Sequence, residues 1–214
     1  MASCIFCDKD KMRGDVTYDF GNFFVKVGFS LVAPGHSMLI SNTHYPCFGD
    51  LPNELEEEFE EQSNRLQKII TEQFYEPFQL EYGSWGQSVF HAHTHFIPLQ
   101  SPDYRVESII EEMVKPENID FEEVDRAGLK SIYREEGGYV SVREKGRLYL
   151  LHTKGKVFDH NIHSNKGYRY NAFFTLKKGL DIPGWLNMKE KHKAVDEERR
   201  SITKRVLSVH LAQI

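Results

Sequence analysis

Residues 86 to 98 run Gly86-Gln87-Ser88-Val89-Phe90-His91-Ala92-His93-Thr94-His95-Phe96-Ile97-Pro98. Three histidines fall at every second position. Side chains two apart on a strand project from one face, about 6.6 Å apart per step, so a strand from Gln87 to about Leu99 would set His91, His93 and His95 in a row and turn Ala92, Thr94 and Phe96 the other way. Pro98 and Pro102 end it. Two plainer readings compete: a solvent-exposed polar stripe, and a transition-metal site that uses all three imidazoles to activate water. Strict alternation inside an otherwise apolar segment weighs against the stripe. Successive alternating positions seldom converge on one tetrahedral ion, which weighs against the three-imidazole metal.

Upstream, a strand-like segment around Gln79 to Tyr82 leads through Gly83 and Gly86 into this stretch. Before it, apolar residues recur at Leu55, Phe59, Leu66, Ile69, Ile70 and Phe74, a rhythm that predicts a helix from about residue 52 to 75. The acidic run Glu56-Glu57-Glu58 reads as its solvated first turn. Alternation around Asn22 to Val27 and again at Ser37 to Ile40 predicts two short strands, with Pro34-Gly35 as the turn between them. Downstream, residues 101 to 136 read as a polar connection with a weak helical rhythm at Ile109, Ile110 and Met113. A hairpin is expected over about 139–152, turning at Glu144-Lys145-Gly146, and an amphipathic helix over about 188–212, carried by Val195, Ile202, Val206, Leu207 and Leu211.

The chain has 214 residues, 40% hydrophobic and 13% aromatic, with 8 prolines. Such a composition packs into a globular fold. With 27 basic and 32 acidic residues the net charge is -5, so there is no overall basic field for nucleic acid, and any phosphate contact must be local. No stretch has the roughly 20 apolar residues of a membrane span, no secretory leader opens the sequence, and a cytoplasmic location is expected. Of three cysteines, Cys4 and Cys7 form a Cys-x-x-Cys pair, which in a reducing compartment favours a metal or redox role over a structural disulfide.

These residues together resemble the histidine-triad superfamily. His91-Ala92-His93-Thr94-His95-Phe96-Ile97 is similar to its His-x-His-x-His-x-x motif, Gly86-Gln87-Ser88-Val89 to its Gly-Gln-Ser/Thr-Val, Pro34-Gly35-His36 with His44 to its Pro-x-His strand entry, and Cys4-x-x-Cys7 to the start of many members. The ordered matches run from residue 4 to about 99 and stop there. The resemblance implies an α+β fold with an antiparallel sheet of about five strands in a catalytic domain at residues 1–105, followed by an extension at 106–214.

It also implies a chemistry: hydrolysis or transfer at a nucleotidyl phosphoanhydride, phosphoester or phosphoramidate. His93 would be the nucleophile that forms a transient nucleotidyl-imidazole, His95 and His36 would orient that ring and bind nearby oxygens, and Gln87 and Ser88 would hold the phosphate. Zinc-bearing members imply a structural zinc on Cys4, Cys7, His44 and His91, with Cys47 as a spare thiol near His44. The family often pairs two sheets, which implies a homodimer. Two positions depart from the family's pattern: Gly28 stands where many members carry an acidic or amide side chain for the ribose, and Glu81 stands near the place of a usual asparagine. Hydrolase and nucleotidyltransferase share a first half-reaction, and a zinc-stabilised nucleotide-binding module without turnover is the alternative from another class. In the extension, Lys154, Lys156, His160, His163, Lys166 and Arg169 form a basic cluster that either reaches substrate phosphate or is a solvated loop.

Overall fold

The computed structural model describes residues 4–12, 14–98, 120–155 and 188–213. Its elements in chain order are β1 (Val16–Asp19), β2 (Phe23–Lys26), β3 (Ser37–Ser41), α1 (Glu56–Gln73), β4 (Pro77–Glu81), β5 (His93–Pro98), β6 (Phe121–Val124), α2 (Arg126–Glu136), β7 (Tyr139–Glu144), β8 (Arg147–His152) and α3 (Glu190–Ala212). The class is α+β, but the sheet holds eight strands rather than about five, in the order β1-β2-β3-β5-β4-β7-β8-β6. Every pairing is antiparallel. The three additional strands come from beyond residue 105: β7 joins the edge of β4, pairing Leu80 with Val142, and β8 and β6 follow. One hydrogen-bonded sheet therefore runs through both parts of the chain.

The strand register sorts side chains between two faces. Phe23, Val25, Leu39 and Phe96 face α1 and α3, where they pack with Phe59, Leu66, Ile69, Ile70, Leu207 and Leu211. Burying a side chain of this kind contributes roughly 1.5–3 kcal/mol. The amphipathic rhythm read from the sequence is what places Phe59, Leu66 and Ile70 on one side of α1. The opposite face carries Phe24, Met38 and Ile40, covered by Phe6 and Met12 from the N-terminal segment.

The strand expected from Gln87 begins at His93 instead. His91 lies in a bend before it, because its N–H closes a tight turn onto the Val89 carbonyl while Ala92 N–H bonds to Tyr45. Only His93 and His95 therefore share a strand face. The region read as a connection up to Glu136 contains β6 and α2. The start signal of α2 was present in Asp125, whose carboxylate accepts the Gly128 N–H at 2.7 Å, and its stop in Gly137 at a φ of 78°. The rhythm at Ile109, Ile110 and Met113 lies outside the described residues. Among those residues no helix is long and apolar enough to cross a membrane.

Candidate active site

Cys4, Cys7, His44 and His91 converge, their ligand atoms all lying within 4.8 Å of one another. Cys4 Sγ is 3.4 Å and Cys7 Sγ 3.5 Å from His91 Nδ1, and Cys7 Sγ is 3.3 Å from His44 Nδ1. A tetrahedral ion with Zn–S near 2.3 Å and Zn–N near 2.0 Å requires sulfur-to-nitrogen edges of about 3.5 Å, so both donor set and spacing fit zinc. The far side of His91 is fixed too: its Nε2–H donates to the Ser41 carbonyl at 2.7 Å. That bond leaves Nδ1 unprotonated toward the thiols, the outer-shell arrangement a ligating histidine needs. Cys47 is elsewhere, in the core with Leu129, Tyr139 and Leu150, and burial pushes its thiol up to about 12. It is not a fifth candidate ligand.

His93 Nδ1 lies 2.6 Å from the His91 carbonyl, which can only accept, so the ring proton is on Nδ1 and the lone pair on Nε2. Burial lowers its pKa to about 4 against the opposing pull of that hydrogen bond, which keeps the imidazole neutral. Phe6 packs edge-on against the ring at 5.3 Å. His95, the next residue on this face, has its ring centroid 5.3 Å from that of His93.

His36 reaches His95 from the turn before β3. Val32 N–H donates to His36 Nδ1 at 3.2 Å, so His36 carries its proton on Nε2, which lies 3.2 Å from His95 Nδ1. His95 is thereby set as the Nε2–H tautomer. Burial, with Arg199 nearby, lowers His36 to about 3, so this ring too stays neutral. The backbone amide of Val32 thus dictates the donor and acceptor roles of two histidines.

These groups open on a cleft of about 180 Å³, lined among others by Ile5, Phe6, Met38, Tyr82, Val89, Ser88, His93 and His95. Ser88 lies on the cleft, whereas Gln87 does not: its amide donates to the Pro46 carbonyl at 2.8 Å. Gly28 is on the wall, where a Cβ would come within 2.9 Å of the Met38 terminal methyl. Glu81 is not a replacement for an asparagine at the site. Leu80 pairs with His95 and shares its face, so Glu81 points to the helix side, where it accepts the Phe48 N–H at 2.7 Å and burial raises its pKa to about 7. Tyr82 takes the cleft-facing position instead.

The sequence offered no sign that α3 holds the loop leading to His36. Asp196 accepts the Leu31 N–H at 2.7 Å, Arg199 donates to the Leu31 carbonyl at 2.7 Å, and Thr203 Oγ1 accepts the Gly35 N–H at 2.8 Å. Gly35 has a φ of 93° and packs so closely on Phe74 that a Cβ would lie 2.7 Å from its ring. Arg200 and Lys204 also reach Asp15, beside β1. Polar residues on an amphipathic helix carry no label for which loop they will meet. Of the basic cluster in the extension, only Lys154 is described, paired with Glu135 at 2.7 Å; the other five lie outside the described residues.

A family model described as HIT domain matches residues 9–101. That part of the chain is a domain of the histidine-triad superfamily. Similar solved structures include a HIT family protein from Bacillus anthracis str. 'Ames Ancestor', 21% identical, covering 55% of this chain and 96% of that one with a TM-score of 0.42. A member of the HIT family of proteins from Bacillus subtilis is 24% identical, covering 53% and 96%, with a TM-score of 0.41. A Zn-bound histidine triad family protein from Mycobacterium smegmatis is 24% identical, covering 47% and 78%, with a TM-score of 0.39. No match was found among curated proteins.

Proposed function

We propose that the protein is a histidine-triad hydrolase that cleaves a nucleotidyl phosphoanhydride, phosphoester or phosphoramidate through a covalent nucleotidyl-histidine on His93. The observation that carries this reading is the tautomer of His93: its Nδ1–H is tied to the His91 carbonyl, and its Nε2 lone pair remains on a ring that lines the cleft. In the first half-reaction Nε2 attacks phosphorus and the bond to the leaving group breaks, that group departing with the electron pair. The His95 Nε2–H donates to an oxygen of the reacting group, held in orientation by His36. In the second, a water oxygen displaces the imidazole, a nucleoside monophosphate is released, the water's proton passes to solvent and neutral His93 returns. Ser88 contacts the phosphate, and Gln87 anchors the loop that presents it.

A zinc ion on Cys4, Cys7, His44 and His91 supports this arrangement without taking part in the reaction. It ties the N-terminal segment to the sheet and fixes His91, whose carbonyl sets the His93 tautomer. The catalytic unit is residues 1–105, with 106–214 as an extension that buttresses it. A homodimer that pairs sheets would use β1 or β6, the outer strands of the sheet among the described residues, since β7 fills the edge of β4. Turnover of dinucleoside polyphosphates, nucleoside phosphoramidates and sugar nucleotides, read by mass spectrometry, tests the reading. Release of a nucleoside monophosphate is expected. Transfer of the nucleotidyl group to another acceptor instead of water would make it a transferase, and binding with no turnover of any of them would overturn the enzyme.

A further inference from the structure

The cleft has a second polar end. Lys26 on β2 pairs with Met38 on β3, and Met38 with His95 on β5, so the three form a row across the site-bearing face. Two strand spacings put the Lys26 backbone roughly 10 Å from that of His95. This is comparable to the separation of phosphate and base in a nucleotide. Met38, Leu31, Phe29 and Val89 make the walls largely apolar, and among the described residues that line it Lys26 alone carries a fixed charge.

The Lys26 ammonium is nearly buried, with the side chain 7% exposed. It donates to the Val27 carbonyl at 3.2 Å, lies 3.6 Å from the Asp15 carboxylate and stands 5.4 Å from the centre of the half-exposed Phe29 ring. Among the described residues the Val27 carbonyl takes one of the ammonium's three N–H bonds, and the Asp15 contact is an ion pair longer than a hydrogen bond. Arg200 and Lys204 draw on the other oxygen of the same carboxylate, so the Asp15 charge is divided among three cations. Three cations share one carboxylate here, its side chain 15% exposed. A buried donor that has, among the described residues, a bond to spare and stands in an apolar wall favours a ligand that brings an acceptor to it.

We propose that Lys26 is a specificity-determining residue that selects nucleotides whose base presents an oxo group to it, 6-oxopurines over adenine. The inference rests on the nucleotide reading of the cleft. An ammonium only donates; the O6 and N7 edge of guanine offers two adjacent acceptors, whereas adenine places an amino donor beside N7. A base lying against Phe29 brings that edge to the ammonium.

The test is calorimetric binding of GMP, IMP and AMP to the full chain carrying His93→Ala, which removes turnover, and to the same protein with Lys26→Met added. GMP and IMP are expected to bind roughly tenfold more tightly than AMP, IMP showing that the oxo group and not the 2-amino group is read. Lys26→Met brings the three within about twofold, while Lys26→Arg, which keeps the donors, retains the preference. AMP bound as tightly as GMP with Lys26 in place, or a preference that survives in a folded Lys26→Met, overturns the role of Lys26 and leaves the nucleotide reading standing. Failure of all three nucleotides to bind overturns both. Should Lys26→Met fail to fold, the comparison with Lys26 intact still decides.

Discussion

Asp196→Ala separates α3 from the loop that carries His36, and its cost follows from the hydrogen bond it removes. The Asp196 carboxylate is 5% exposed and accepts a backbone N–H at 2.7 Å from Leu31, itself 1% exposed. A hydrogen bond to a charged group contributes about 1.5–3 kcal/mol, and the abandoned buried N–H brings a desolvation cost of the same order that overlaps with it. A net loss of about 3 kcal/mol is expected, which for a chain of this length lowers the melting temperature by roughly 6–12 °C. Because Thr203 and Arg199 still grip the loop, the fold survives but His36 is less firmly held against His95. Paired thermal melts and steady-state kinetics should show the drop in melting temperature together with a loss in kcat. Asp196→Asn, which keeps an acceptor, should recover part of both. A melting temperature within about 1 °C of the parent protein would refute the reasoning, since a buried bond of this kind cannot be removed without cost.

Three further outcomes are expected. Elemental analysis should find about one zinc per chain, and Cys7→Ser should lose both the metal and thermal stability; a folded, metal-free protein with Cys4 and Cys7 both titratable contradicts the site. Glu81, raised by burial to about 7 in the fold, binds its proton more tightly there than in the unfolded chain, so its contribution is fully present below its ordinary carboxylate pKa and is lost as pH rises through about 7. The melting temperature should therefore fall between about pH 5 and 8 more in the parent than in Glu81→Gln, and equal slopes would remove Glu81 as the cause. Leu66→Ala, emptying a fully buried position where α1 meets the sheet, should cost about 2–5 kcal/mol in chemical denaturation with the histidine geometry unaltered, and a change under about 1 kcal/mol would contradict the packing described.

The parts of the fold that were legible in the sequence are those whose signals are local. Leu66, Ile69 and Ile70 announce α1 by spacing alone, and Pro34-Gly35 marks the turn before β3. His93 and His95 were legible as a pair on one strand face because alternation and the face are the same statement. His91 was not, since its departure from the strand depends on the turn onto Val89 and on bonds to Tyr45 and Ser41, which are distant in sequence. The same holds for Glu81, whose facing is set by the register of β4 on β5 and not by its neighbours. The eight-stranded sheet was hidden because β6 is exposed along most of its length and so lacks an apolar alternation, and because nothing in Tyr139–Glu144 states that its partner will be β4. Lys26 reads in sequence as an ordinary polar position in a short strand. Its place on the cleft wall and its ion pair with Asp15, which α3 also reaches through Arg200 and Lys204, depend on residues distant in sequence.

If His93 is the nucleophile, a covalent adduct can be trapped on it. The full chain is mixed with a substrate labelled at the transferred phosphorus, quenched within the first turnover and mapped by mass spectrometry of its peptides. One labelled nucleotidyl group is expected on His93, and no adduct or turnover in a folded His93→Ala. Label on another residue, or substantial turnover by folded His93→Ala, would contradict it.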